Sequence, residues 1–349
     1  MEAGKKVAVV ILNWNGRQLL EQFLPALIKN TPSWVDLIVG DNASTDDSIQ
    51  FMQDKFPQVL VLSNPVNHGY AGGYNMILER VEADYFALLN SDLEVTPGWI
   101  EPLLEYMVSN PFTAVCQPKV RSFVKKTHFE YAGAAGGYMD RFGYFFCRGR
   151  IFDHLEEDRG QYDDAREVFW ASGAAFFVDV PTFRKAGGFD ALLFAHMEEI
   201  DLCWRFKRMG KKIAYVPTSL VYHIGGGTLH KLSPQKTFLN FRNNLVLLYK
   251  NLPRRITVML IPFRFFLDLL AWVRFLLLGE IGHAFAINRA HIDFLRNLKS
   301  WKRNRTRQVV LFDPEKNSRL KGLYLNSIVL DYFVLKTTSF SSLNPKRIT

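Results

Sequence analysis

VAVVILNWNG, residues 7–16, decides how the chain is read. Six apolar residues, four of them β-branched, run without interruption and then stop at Asn-Trp-Asn-Gly. A run this short, rich in Val and Ile and closed by turn residues, is the pattern of a strand buried on both faces. Two lysines precede it, but a secretory leader needs a longer apolar stretch and a small-residue cleavage site. Asn13 and Asn15 break the run, so it reads as a first, central strand.

The pattern then repeats. Leu19, Leu20, Phe23, Leu24, Leu27 and Ile28 recur at helical spacing. DLIVGDNAS (36–44) predicts a strand over Leu37–Val39 ended by a polar cluster; DDSIQFMQ (46–53) predicts a helix and VLVLS (59–63) a strand. NHGYAGGYNMILERV (67–81) reads as a glycine-rich loop opening into a helix, and YFALLNSD (85–92) as a strand ending in polar residues. Strand and helix thus alternate four times within about ninety residues, which is the signature of a parallel α/β sheet with crossover helices.

In such a sheet ligands bind beyond the carboxyl ends of the strands. Three polar clusters fall there: NWNG (13–16), DNAS (41–44) and NSD (90–92). Each alone is ordinary turn chemistry; three in succession along one edge point to a binding site. Gly69, Gly72 and Gly73 permit positive φ and close approach of a ligand. Their spacing is neither GxGxxG nor a P-loop, which argues against dinucleotide binding and P-loop hydrolysis.

Composition sets outer limits. The 349 residues are 48% hydrophobic and 22% charged, enough for a large domain with an extension. Cys116, Cys147 and Cys203 lie far apart in apolar surroundings with no CxxC spacing, so a disulfide framework or zinc site is not expected and a reducing compartment fits. The net charge of +9 is unevenly spread. Residues 251–349 hold 17 Lys and Arg against 6 Asp and Glu, which leaves the first 250 close to neutral. A basic C-terminal part predicts contact with an anionic surface. No nucleic-acid-binding motif accompanies the charge, so lipid headgroups are the expected partner and nucleic acid is not.

The ordered set VVILNWNG, DNASTD, NHGYAGGYN, LLNSD, WASGAAFFV, GGFDALLFAHMEEIDLCWR and VYHIGGG resembles the family 2 glycosyltransferases, nearest their rhamnosyltransferase-like bacterial branch, over about residues 6–250. The resemblance implies a GT-A fold, a nucleotide-sugar donor, a saccharide or polyprenyl-linked acceptor, a divalent cation (Mg²⁺ or Mn²⁺) and inversion at the anomeric carbon. It assigns Asp92 and His223 to the metal. It places Leu12, Asn13, Trp14, Asp41, Asn42, Asn67, Gly69, Tyr70, Gly73, Asn75 and Ser91 around the nucleotide-sugar, and Trp170, Gly173 and Trp204 beside the acceptor. Where the family often has two aspartates spaced D-x-D, this chain has Asn90-Ser91-Asp92 and keeps only the last.

HMEEIDLCWR (196–205) crowds Glu198, Glu199 and Asp201 into four residues. Acids in a helix's first turn are stabilised by the macrodipole, and Asp201 with Arg205 has i,i+4 ion-pair spacing. The family's catalytic base lies in this acidic pair, usually Glu-Asp. Glu199 takes the aspartate's place and is one methylene longer, so the role falls to Glu199 or Glu198. The two departures also leave open a second reading: a GT-A protein without turnover that binds nucleotide-sugar or glycan as an assembly subunit.

Residues 256–278, ITVMLIPFRFFLDLLAWVRFLLL, are long and apolar enough to span a bilayer, yet Arg264, Asp268 and Arg274 interrupt them. At 100° per residue these charges fall within about 120° of one another, which predicts a polar stripe on a helix lying in the interface. RNLKSWKRNRTR (296–307) adds a basic patch suited to anionic lipid. The expected organisation is a catalytic domain over 1–250 and a helical, membrane-associating extension over 251–349. The expected location is the cytoplasmic face of the inner membrane, peripheral or monotopic.

Overall fold

The computed structural model describes residues 4–225, 233–309 and 320–349, with the side chains of 306–309 left aside. The opening strand is β1 (Val7–Asn13), followed by α1 (Arg17–Asn30), β2 (Val35–Asp41), α2 (Ser48–Lys55), β3 (Leu60–Ser63), α3 (Gly69–Leu78) and β4 (Tyr85–Leu89). β1 pairs in parallel with both β2 and β4, and β2 with β3, giving the order β4-β1-β2-β3. Val7 to Val10 are sealed from solvent, as a strand covered on both faces requires. One expectation changes. The glycines of 67–75 do not form a loop: α3 starts at Gly69, so Gly72 and Gly73 are helical and only Gly69 has positive φ (69°). Gly73 is needed for proximity, because a Cβ there would stand 2.8 Å from the amide of Asn42.

Beyond β4 come β5 (Leu93–Val95), α4 (Glu101–Ser109), β6 (Thr113–Ser122) and four short strands, β7 (Gly137–Asp140), β8 (Phe145–Cys147), β9 (Arg150–Ile151) and β10 (His154–Leu155). Next are β11 (Arg166–Glu167), β12 (Ala175–Asp179), α5 (Val180–Lys185), α6 (Glu198–Arg208) and β13 (Lys212–His223). β12 wedges antiparallel between β4 and β6, and β13 runs parallel to β6. The large sheet is therefore parallel on the β1 side and mixed on the other. β7 to β10 form a separate small sheet.

The C-terminal part consists of α7 (Pro234–Asn251), α8 (Arg254–Leu277), α9 (Ile281–Arg296), α10 (Leu298–Val309), β14 (Leu323–Tyr324) and α11 (Ile328–Phe333). β14 adds in parallel to β7, with Leu323 opposite Met139. In α8 the expected polar stripe points the other way. Arg264 and Asp268 are buried, and the Arg264 guanidinium donates to the carbonyls of Phe142 (3.1 Å) and Gly143 (3.3 Å) in the β7–β8 turn. Asp268 meets His291 of α9 at 3.0 Å. Only Arg274 of the three charges stays exposed. Gly226 and Gly227 of VYHIGGG, and the side chains of Thr306 and Arg307 in the basic patch, lie outside the described residues.

Candidate active site

Asp92 and His223 are 131 residues apart in sequence, and strand pairing joins them. β5 runs antiparallel to the end of β13 with His223 opposite Leu93, so Asp92 arrives beside the ring. Nε2 of His223 is 3.0 Å from Oδ1 of Asp92, and the side-chain amide of Asn90 is 3.3 Å from the same nitrogen. Burial would lower the ring's proton affinity; hydrogen bonding to Asp92 and Glu130 outweighs it and lifts the pKa to about 10. Two adjacent ligands on an octahedral ion with bonds of about 2.0–2.1 Å stand about 3 Å apart, the spacing found here. Among the described residues no group of three or more ligating side chains converges here, so a cation at this pair would have two protein donors and take its remaining ligands from phosphates and water.

Glu130 was not among the residues singled out from sequence. It is buried, and its Oε2 lies 3.2 Å from Nδ1 of His223. The same oxygen accepts the Ala132 amide, and the Ala132 carbonyl accepts the Ser172 hydroxyl at 2.7 Å. Nothing in HFEYAG (128–133) marks this acid, which sits in irregular chain between β6 and β7 and acquires its role through the end of β13.

The strand-end residues divide into exposed and structural ones. Trp14, exposed, and Leu12 sit at the end of β1 and can line a base; Ser91 and exposed Asn67 lie on the same edge. Asp41 is sealed: Oδ1 accepts from the Asn13 amide (3.1 Å) and Oδ2 from the Ser44 backbone (3.0 Å). Asn13 itself keeps a buried Oδ1 with no partner among the described residues. Asn42 is spent on the scaffold. It donates to Asn67 Oδ1 and the Gly69 carbonyl and accepts from Asn64. Asn75 exchanges two hydrogen bonds with the backbone of Phe189 (2.8 and 2.9 Å), which ties α3 to the GGFD turn.

The acidic pair opens α6. Three residues before it, Phe194, His196 and Met197, have φ of 66°, 66° and 71°, a left-handed region that costs non-glycine residues about 1–3 kcal/mol each. Asn243 of α7, fully buried, holds them with its amide against the carbonyls of Leu193 (3.1 Å), Ala195 (2.9 Å) and His196 (2.7 Å). This clamp was also invisible in sequence. Glu198 is buried and Glu199 half-buried, and one oxygen of each is enclosed without a hydrogen-bond partner among the described residues. Burial, then repulsion from Glu199, pushes the Glu198 carboxyl well up; burial raises Glu199 to about 7. A carboxyl near neutrality is what proton abstraction requires.

Asp201, in the same turn, does something else. It is buried against Arg205 (3.0 Å), Lys250 (3.0 Å) and Asn251 (3.1 Å), so it locks α6 to α7. Tyr70 and Gly173 flank the acids. The Tyr70 hydroxyl donates to the Gly173 carbonyl at 2.8 Å, and a Cβ on Gly173 would meet both that hydroxyl (3.3 Å) and Glu199 Cγ (3.6 Å). Ala174, next in line, accepts the Asn90 amide at 3.0 Å, which puts the acid pair and the Asp92–His223 pair on one sheet edge. Trp170 and Trp204 do not reach this edge. Trp170 packs on Gly137 and donates to the Tyr138 carbonyl (3.1 Å), while Trp204 stands edge-on to Phe169 at 5.3 Å. Both indoles are core.

Residues 8–169 match the family model described as glycosyl transferase family 2. Over that stretch the chain is similar to the family 2 glycosyltransferases. It is 27% identical over 230 residues to the N-acetylglucosaminyl-diphospho-decaprenol L-rhamnosyltransferase of Mycobacterium tuberculosis, covering 62% of this chain and 75% of that one. It is 29% identical over 167 residues to the pre-mycofactocin glycosyltransferase of the same organism, over 47% of this chain and 32% of that one. Two solved glycosyltransferases share the fold. GalNAc-T7 with UDP, GalNAc and Mn²⁺ aligns with a TM-score of 0.56 at 16% identity, over 72% of this chain and 48% of its own. The mannosyltransferase PcManGT of Pyrobaculum calidifontis with GDP-Man and Mn²⁺ aligns with 0.52 at 11% identity, over 90% and 88%. The fold is thus the GT-A arrangement expected from the motifs.

Proposed function

We propose that the protein transfers a sugar, with inversion, from a nucleotide-sugar to a lipid-linked saccharide at the cytoplasmic face of a membrane, in the synthesis of cell-surface polysaccharide. The observation that carries this reading is the enclosed acid pair on the same sheet edge as Asp92 and His223. Glu199, raised to about 7, takes the proton from the acceptor hydroxyl as it attacks, and Glu198, held higher, keeps its proton and limits the charge in the site. The pair titrates as a unit, so the assignment belongs to the pair first and to Glu199 second. Trp14 and Leu12 receive the base, and the edge between Asn67 and Ser91 receives the ribose and diphosphate. Gly173, lacking a Cβ, leaves the acceptor room beside Glu199.

Asp92 and His223 would hold a Mg²⁺ or Mn²⁺ ion, which supplies charge neutralisation for the departing diphosphate. The relative from Mycobacterium tuberculosis, whose name specifies a decaprenyl-diphosphate-linked N-acetylglucosamine and rhamnose, supports the polyprenyl-type acceptor and makes a deoxyhexose the first donor to try. The long apolar helix α8 supports work at a lipid surface. The test is a screen of nucleotide-sugars against a short-chain polyprenyl-diphospho-N-acetylglucosamine, with NMR of the product's anomeric centre. Transfer with inversion is expected from one donor. Donor binding with no transfer to any such acceptor would overturn the reading.

A further inference from the structure

We infer that α8 lies flat in one leaflet, its outward face sunk among the lipid chains and its inward face fixed to the catalytic fold. This rests on the reading that the protein works at a membrane, and it specifies the contact surface and excludes a span. Met259, Phe263, Phe266, Leu270, Val273 and Leu277 recur at spacings of four and three, and all are exposed, Met259 by 78% and Leu277 by 82%. They form one straight stripe about 27 Å long at 1.5 Å per residue. The opposite stripe is Thr257, Leu260, Arg264 and Asp268, all buried. An ordinary surface helix turns its apolar side inward. Here the charges face the protein and the apolar side faces out, an arrangement stable only if something apolar covers it.

Three observations name lipid as the cover. Exposed cations stand near both ends of the stripe, Arg254 and Arg255 at one and Arg274 at the other, as an anionic leaflet requires. It continues onto α11, whose Phe333 ring lies 6.0 Å from the Arg274 guanidinium and which exposes Leu330 and Phe333, with exposed Leu335 just beyond. Finally, the helix cannot cross. At its midpoint Arg264 is bound to the β7–β8 turn and stacks on Tyr144 at 3.9 Å, and Asp268 is bound to His291 of α9. A span would pull this polar body into the hydrocarbon or break contacts that leave Arg264 and Asp268 unpaired there.

Full-length protein is tested on vesicles of phosphatidylcholine and phosphatidylglycerol in equal parts. Wild type should co-sediment and stay bound in high salt. Phe266→Glu with Leu270→Glu should weaken binding by about 100-fold or more, since each loses the burial of a large side chain. Transfer to a water-soluble acceptor analogue should be unchanged in that variant, which separates failure of this surface from failure of the transferase reading. Cysteines introduced singly by Arg255→Cys and Gly279→Cys, beside the three buried native ones, should both react with a membrane-impermeant maleimide added outside. Reaction at one end only means a span and overturns the proposal. Release by salt alone, or a soluble dimer that the double variant dissociates while vesicles remain unbound, overturns it as well.

Discussion

Glu199→Gln changes the acid pair with little change in volume, and it should move two properties in opposite directions. Gln cannot take the acceptor's proton, so turnover should fall by about 10²–10⁴-fold while donor binding persists. Stability should rise. The folded-state pKa of about 7 exceeds the ordinary 4.5, so the folded protein holds this proton more tightly than the unfolded chain. Stability is therefore lost as pH rises from about 4.5 to 7, and the full penalty applies above 7. At about 1.4 kcal/mol per pH unit the whole shift amounts to about 3 kcal/mol. Glu199 keeps part of its side chain in solvent, which reduces the expected gain to about 1–2 kcal/mol, or about 2–3 °C in Tm for a chain of this size. Thermal unfolding at pH 8 should show the gain, and it should shrink steadily towards pH 5. Glu198→Gln, measured alongside, should lose less turnover. Near-normal turnover in both variants, or a Tm change indifferent to pH, would remove the acid pair from the reaction.

Asp92→Ala should abolish transfer and Mn²⁺ binding, read by calorimetry, while the far-UV circular dichroism stays unchanged. Glu130→Gln should weaken Mn²⁺ affinity by about 10–100-fold, the usual effect of losing the carboxylate behind a metal-binding histidine, with little change in Tm. Undiminished affinity would reduce Glu130 to a loop fastener for Ala132. Asp201→Ala should cost about 3–5 kcal/mol by urea unfolding, because it leaves Arg205 buried without its anion and Lys250 with one fewer. Transfer should rise with pH through about 7 in wild type as Glu199 deprotonates, and a rate flat from pH 5 to 8 would contradict a carboxyl base.

The parallel half of the sheet was legible because its information is local. VAVVIL and YFALL are short apolar runs, each closed by polar residues, and the structure pairs them directly. Asp92 and His223 were legible as residue types in motif positions. The polar stripe of α8 was legible as a period, but not in the direction it faces, because a period cannot say which side meets protein. Glu130 and Asn243 were illegible for a stricter reason. Each acts on a partner 47 to 93 residues away, at a strand end or in irregular chain, and no local spacing encodes that. Asn42 and Asn75 show the converse. Their motif positions suggested ligand contact, while their hydrogen bonds are already used inside the scaffold.

The pairing of β14 with β7 bears on how the chain is made. Met139 and Leu323 are separated by roughly 180 residues, so the edge of the small sheet stays open on the ribosome long after the rest of the α/β fold can form. In that interval α8 to α10 have been synthesised and β14 has not. If α8 meets a bilayer as proposed, it can do so while the sheet behind the β7–β8 turn still lacks its last strand. Membrane encounter would then come before completion of the fold, and the two would be ordered by translation itself.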